Sequence, residues 1–195
     1  MANITAAAVN ELRKRTGVGM MDCKKALVEC DGDMDKAIDY LREKGQKLAA
    51  KRADRDASEG AVLATVNADK TFAAVIMMNC ETDFVAKNED FVAFTREVLQ
   101  TAVDAKAKSL EEVMALTING LSVETMIVEQ VAKIGEKITL SHYYPIEAVA
   151  TYAYVHPGNR MASVVGLSKA GYDEEGKEMS MQVIAGRPVA LNKES

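Results

Sequence analysis

The sequence predicts an α+β chain: a helical N-terminal segment, then a core in which an antiparallel sheet is built from hairpins interleaved with helices. Three observations carry that expectation. Apolar residues recur at helical spacing through about the first 50 positions, with glycine-containing breaks between the runs. From Gly60 the period changes to the alternation of strands. A second alternating stretch after Pro145 then repeats the first at a constant offset.

The first segment reads as three short helices. Thr5 is a cap residue for the first, with Val9 and Leu12 spaced i, i+3 on one face. Gly17 and Gly19 interrupt the pattern, and a second helix follows over about Met21 to Cys30, with Ala26, Leu27 and Cys30 inward. Asp31-Gly32-Asp33 is a turn, and Asp33 caps a third helix with Ala37, Ile38 and Leu41 inward, running on to Arg52. The charged stretch KRADRDASE, Lys51 to Glu59, ends the module. The expected division is a three-helix module at 1–52, a linker at 53–59, a first α+β half at 60–144 and a second, abbreviated half at 145–195.

In the first half, Gly60 to Asn67 and Thr71 to Asn79 form a hairpin about Ala68-Asp69-Lys70, pairing Val62 to Val66 with Ala73 to Met77. Asn88 caps a helix running to about Lys108, with Glu89 and Asp90 in the first turn, where the helix dipole favours acids, and Phe91, Phe94, Val98 and Ala102 inward. Ser109 with Glu112 is a capping box, and Ser122 precedes a helix with Ile127, Val131 and Ile134 inward, ended by Gly135. Lys137 to Tyr144 alternates as a strand. In the second half, Ala153, Val155, Ala162 and Val164 follow Ala64, Val66, Ala73 and Val75 at a constant offset of 89 residues (153 − 64). The turn at Asp69-Lys70 is matched by Gly158-Asn159-Arg160, and Met179 to Ile184 is helical. The second copy lacks a closing strand and a long helix.

Composition excludes several functions. The net charge is −5, and 5% of residues are aromatic with no Trp, a poor endowment for phosphate-backbone contact or base stacking, so no direct nucleic-acid partner is expected. The basic cluster Lys44, Lys47, Lys51, Arg52 and Arg55 is interleaved with Glu43, Asp54 and Asp56, as on a solvated helix face. No run of 18 apolar residues and no signal-peptide pattern is present, so a cytoplasmic setting without a membrane partner is expected. Cys23, Cys30 and Cys80 are odd in number and without CxxC spacing, so no metal is expected. His142 and His156 belong to no catalytic pattern, and Gly17-Val18-Gly19 lacks the strand and third glycine of a dinucleotide loop, so neither a catalytic group nor a cofactor is expected.

One stretch stands apart: Asn79-Cys80-Glu81-Thr82-Asp83-Phe84-Val85-Ala86-Lys87-Asn88. It puts a large aromatic, Phe84, in the short connection between a strand and a helix, flanked by Asp83 and Lys87. Two roles fit. Phe84 either staples the start of the helix beneath it or projects as an insertion wedge for a partner protein.

The motifs resemble a known family. TGVGMMDCKKAL (Thr16 to Leu27), NCETDFVAKNEDF (Asn79 to Phe91) and VAKIGEKI (Val131 to Ile138) are similar to three signatures of bacterial elongation factor Ts, in the family's order and at about its spacing. The resemblance runs to about residue 185. It implies a ubiquitin-associated-like module followed by a core of two related halves, the second of which carries a coiled-coil insertion in longer members. That insertion does not occur before Ser195, and Gly186-Arg187-Pro188 departs from the family's usual residues. If the chain is naturally short, core surface left open favours a homodimer.

The resemblance also implies a function: nucleotide exchange on the translational GTPase elongation factor Tu, without covalent catalysis. Thr82, Asp83, Phe84 and Val85 are the residues implied to dislocate the GTPase's magnesium. Val9, Leu12 and Met20 are candidates for a second contact made by the N-terminal module, with Val9 and Leu12 equally readable as core. The alternatives are an adaptor that uses the helical module alone, which leaves the TDFV stretch without a role, and an enzyme with Cys80 or Cys23 as nucleophile, for which no base is evident.

Overall fold

A computed structural model describes residues 4–188; the last seven positions of the 145–195 half lie outside the described residues. It resolves into two compact units, 1–57 with 124–138, and 58–123 with 139–195.

The first unit begins with α1 (Ala6–Thr16), α2 (Met20–Glu29) and α3 (Met34–Lys51). The Thr5 hydroxyl accepts from the Ala8 N–H at 3.2 Å, and the Asp33 carboxylate accepts from Lys36 N–H at 3.1 Å, so each cap satisfies a donor the helix leaves open. Gly17 ends α1 at φ +70°, where its N–H reaches the Arg13 carbonyl; a side chain would be strained there. Val9, Leu12, Val18, Cys23, Ala26, Leu27, Ala37 and Leu41 form the core. Cys30, expected inward, is half-buried at its edge.

Residues 124–134 of α7 (Val123–Ile134) complete this unit, whereas chain position had grouped them with 60–144. The contact is close: a Cβ on Gly45 would stand 2.9 Å from the Ala132 methyl. Arg42 Nε donates to Glu129 at 2.7 Å, and Lys137 Nζ donates to the Ala53 and Arg55 carbonyls at 2.7 and 2.9 Å. The ammonium of Lys137 thereby closes the polar stretch that follows α3.

The second unit is built on a three-stranded antiparallel sheet, β1 (Glu59–Val66), β2 (Phe72–Cys80) and β5 (Thr139–Glu147), in the order β1-β2-β5. Val62 pairs with Met77 and Val66 with Ala73, the register expected from alternation. The one-turn helix α4 (Asp83–Ala86) leads into α5 (Glu89–Asp104), which lays Phe91, Val98, Leu99 and Val103 on the sheet. After α6 (Leu110–Ala115), β3 (Thr117–Ile118) and β4 (Leu121–Ser122) make a small hairpin that the periodicity did not signal. Its turn residues, Asn119 and Gly120, both have positive φ, which is why that dipeptide stands there. Tyr143 on β5 is buried and donates its hydroxyl to the Ala107 carbonyl at 2.9 Å.

Burial pushes the Tyr143 phenol up to about 12 from 10.0. The folded chain therefore holds that proton more tightly than the unfolded one. This contribution to stability is complete below pH 10 and is lost as pH rises through the folded value. Tyr143→Phe is expected to flatten the alkaline limb of a stability-against-pH curve and to cost about 1 kcal/mol near neutrality through the lost hydrogen bond. Urea unfolding followed from pH 7 to 11 checks both; an unchanged alkaline slope contradicts the assignment.

The second hairpin is β6 (Ala150–Val155) and β7 (Ala162–Leu167), covered by α8 (Asp173–Gly186). The 89-residue repeat is structural. Ala64 pairs with Val75 and Ala153 with Val164; Val66 pairs with Ala73 and Val155 with Ala162. The two turns match in backbone as well, with Lys70 and Asn159 both at φ +55°. The helix α8 begins six residues earlier than Met179, so the second copy is less abbreviated than apolar content suggested. Its inner face is small: a Cβ on Gly176 would strike the Tyr152 ring at 2.3 Å, and Ser180 is fully buried. Apolar periodicity could not register a helix that packs through glycine and serine.

Candidate functional site

The site sits where β2 ends. Thr82 is extended and caps α4, its hydroxyl accepting from Val85 N–H at 3.4 Å. The Cys80 thiol donates to the Thr82 carbonyl at 3.2 Å. Ala86 is buried, and Asn88 immediately caps α5 through Asp90 and Phe91 N–H at 2.9 and 3.3 Å. The connection is thus fastened at both ends within nine residues, and its single helical turn is held by caps and a buried methyl. Such a segment can present a side chain without a large entropy loss on binding.

That side chain is Phe84. It is 83% exposed, the most exposed of the large apolar residues among those described. At that exposure the ring buries little against the helix beneath it, which favours the projecting role over the staple. Asp83 beside it is half-buried and accepts from Lys87 Nζ at 2.7 Å. The Lys87 hydrogen bond and charge hold the Asp83 carboxyl below its ordinary value of 3.8, with the more distant Arg160 adding to the effect. Asp83 is therefore ionised at neutral pH. Val85 is half-buried and contributes its N–H to the Thr82 cap. The ensemble is a hydrophobic ring next to a fixed carboxylate on a short, pinned turn.

In the N-terminal unit the structure separates the three candidates. Val9 and Leu12 are 6% and 0% exposed and belong to the core, the second of the two readings open for them. Met20 is 49% exposed. Next to it Met21, which sequence reasoning did not select, is 65% exposed. The signal was available: Val18 is buried between two glycines, so the loop turns its following methionine pair outward at the start of α2. Flexible thioethers suit a shallow apolar contact.

Cys23 and Cys80, the two cysteines considered as nucleophiles, are both buried. The Cys23 thiol is fully buried, donates to the Val18 carbonyl at 3.4 Å and is pushed up by burial. Cys80 is buried as well. His142 Nδ1 lies 2.7 Å from Ser141 Oγ, which itself donates to Asn79 Oδ1 at 2.5 Å, so that hydroxyl is committed to anchoring the end of β2. His156 Nδ1 is 3.1 Å from the Tyr154 hydroxyl. Among the described residues no group of acids, cysteines or histidines could hold a metal, and no helix is long and apolar enough to cross a membrane.

Comparison with known proteins covers both units. A family model described as elongation factor TS matches residues 81–195, and one described as the N-terminal part of mitochondrial elongation factor Ts matches 1–49. The elongation factor Ts of Christiangramia forsetii is 53% identical over 196 residues, spanning all of this chain and 71% of the relative. That of Flavobacterium psychrophilum is 48% identical with the same coverage. That of Bacteroides thetaiotaomicron is 44% identical over 98% of this chain and 58% of its own.

Proposed function

The chain belongs to the elongation factor Ts family, whose members are nucleotide exchange factors for elongation factor Tu, and from that premise we propose that it promotes GDP release by inserting Phe84 near the magnesium site of the GTPase. The observation that carries this reading is the 83% exposure of Phe84 on a turn fixed at both ends. A ring moved from water into an apolar cleft gains about 1.5–3 kcal/mol. That gain is available only if the cleft opens, and opening shifts the groups that hold magnesium. Asp83, ionised and adjacent, adds negative charge beside the phosphate oxygens and can accept charge-assisted hydrogen bonds from N–H or O–H groups nearby. With magnesium displaced, the diphosphate charge is less neutralised and GDP leaves. Thr82 and Val85 hold the turn.

No covalent bond changes in this scheme. The factor binds the nucleotide-free GTPase better than the loaded one, and by linkage weakens GDP by the factor with which GDP weakens it. Met20 and Met21 supply a second contact on the same partner. The reading needs no nucleic acid, cofactor or membrane and belongs in the cytoplasm with translation.

Release of a fluorescent GDP analogue from elongation factor Tu, followed by stopped flow with and without the chain, tests the function. Concentration-dependent acceleration is expected. Tight binding without acceleration would favour an adaptor.

A further inference from the structure

The strand β2 leaves its sheet at Asn79. In the ladder Asn79 faces Gly60 on β1 and Thr139 on β5, whereas the next residue, Cys80, faces only Glu59 on β1. Asn79 is therefore the last residue of β2 held on both sides before the turn that carries Asp83 and Phe84. It is 5% exposed, and a buried amide needs partners for both of its ends. It finds one on each neighbouring strand. Nδ2 donates to the Glu59 carbonyl at 3.2 Å, and Oδ1 accepts from Ser141 Oγ at 2.5 Å. The Glu59 carbonyl can only accept, which fixes the orientation of the amide. The side chain thus bridges β1 and β5 across the end of β2.

The Ser141 hydroxyl reaches Asn79 because β5 is irregular there. Met77 pairs with His142 and Met78 with Leu140, so Ser141 is an extra residue with no opposite number on β2. A bulge bends its strand and re-aims a side chain. Here the re-aimed hydroxyl meets the Asn79 amide; the other carbonyl in its reach, that of Met77, is farther at 3.4 Å. Ser141 has one hydroxyl proton, and with that given to Asn79 the His142 Nδ1, 2.7 Å away, donates to Oγ and steadies it. On the other side β1 comes in closely. A Cβ on Gly60 would stand 2.3 Å from the Met78 carbonyl oxygen and 2.9 Å from Asn79 Cα, so only glycine permits the approach that brings the Glu59 carbonyl to the amide.

Beyond Asn79 the fastening continues residue by residue. The buried Cys80 thiol donates to the Thr82 carbonyl at 3.2 Å, and the Thr82 hydroxyl accepts from Val85 N–H at 3.4 Å. We propose that Asn79, met by Ser141 from the bulge, is a positioning residue for the exchange turn: it fixes the direction in which β2 delivers Asp83 and Phe84 to the GTPase. This rests on the exchange reading of Phe84, and it gives the bulge in β5 a part in exchange.

The test is the maximal rate of labelled-GDP release from elongation factor Tu at saturating full chain, in magnesium and in excess EDTA, with melting temperature measured alongside. Asn79→Ala removes both bonds of the amide. Ser141→Ala removes one, at an exposed strand position, and Ser141→Thr keeps the hydroxyl. In magnesium Asn79→Ala is expected to lower the maximal rate about tenfold and Ser141→Ala about threefold, because a small misplacement of a working group is costly, with Ser141→Thr within about twofold of the unmodified chain. In EDTA, and in a Phe84→Ala background, Ser141→Ala is expected to change the rate by less than about 1.5-fold, since the ion to be displaced or the ring that displaces it is gone. Should Asn79→Ala fold poorly, the Ser141 pair decides alone. A purely structural hydrogen bond gives a different pattern: a lower melting temperature with the magnesium rate unchanged, or a loss of the same size with and without Phe84. Either result overturns the proposal. Failure of the unmodified chain to accelerate release would instead strike the exchange reading itself, and is visible before any substitution is compared.

Discussion

Phe84→Ala is expected to weaken the functional interaction with elongation factor Tu by roughly 2 kcal/mol or more, about thirtyfold in the concentration needed for half-maximal GDP release. The melting temperature should stay within about 2 °C of the unmodified chain, because a surface position contributes little to stability. At 83% exposure the ring has almost no internal contacts to lose. The cap from Thr82, the buried Ala86 and the Asn88 cap all remain, so the turn survives without it. What disappears is the apolar area that repays opening of the cleft. Asp83→Ala should act in the same direction but less, since the ring supplies the steric displacement. A marked drop in melting temperature with unchanged release would show that the ring is structural after all.

Leu12→Ala is expected to have the largest effect on stability. Leu12 is fully buried among Val9, Cys23, Leu27 and Leu41, and truncating such a leucine costs about 2–5 kcal/mol. A small helical unit has little more than that in total. The N-terminal unit should therefore melt separately and early in Leu12→Ala, visible as a lost share of helical circular dichroism at 25 °C. Met20→Ala, at 49% exposure, should leave the spectrum unchanged and reduce only binding. A folded Leu12→Ala with weakened binding would return Leu12 to the contact surface.

The contrast between these residues indicates what a sequence can reveal. Capping residues and alternation located the main elements, because Thr5, Asp33, Asn88 and Ser109 act through hydrogen bonds to their own neighbours. The register of the first hairpin followed from its turn, and the repeat from side chains that keep their pairing. The TDFV stretch was legible as a site, but its exposure was not: a Phe in a short connection reads as staple or wedge until tertiary structure decides. Val9 and Leu12 show the same limit in reverse, since i, i+3 spacing marks a face without saying what covers it. Position in the chain could not reveal that residues 124–138 join the N-terminal helices, because Gly45 against Ala132 is a contact between distant segments. Nor could it reveal α8's extent, since Gly176 and Ser180 carry no apolar signal.

The central claim, that Phe84 works through the magnesium site, is tested most directly by measuring GDP release with magnesium present and with magnesium removed by excess EDTA, for the unmodified chain and for Phe84→Ala. If displacing the ion is what Phe84 does, the account predicts a large difference between the two chains in magnesium and a much smaller one in EDTA, where the ion has already left. The same thirtyfold gap under both conditions would contradict it, and would make Phe84 a binding anchor with no part in dislodging the metal.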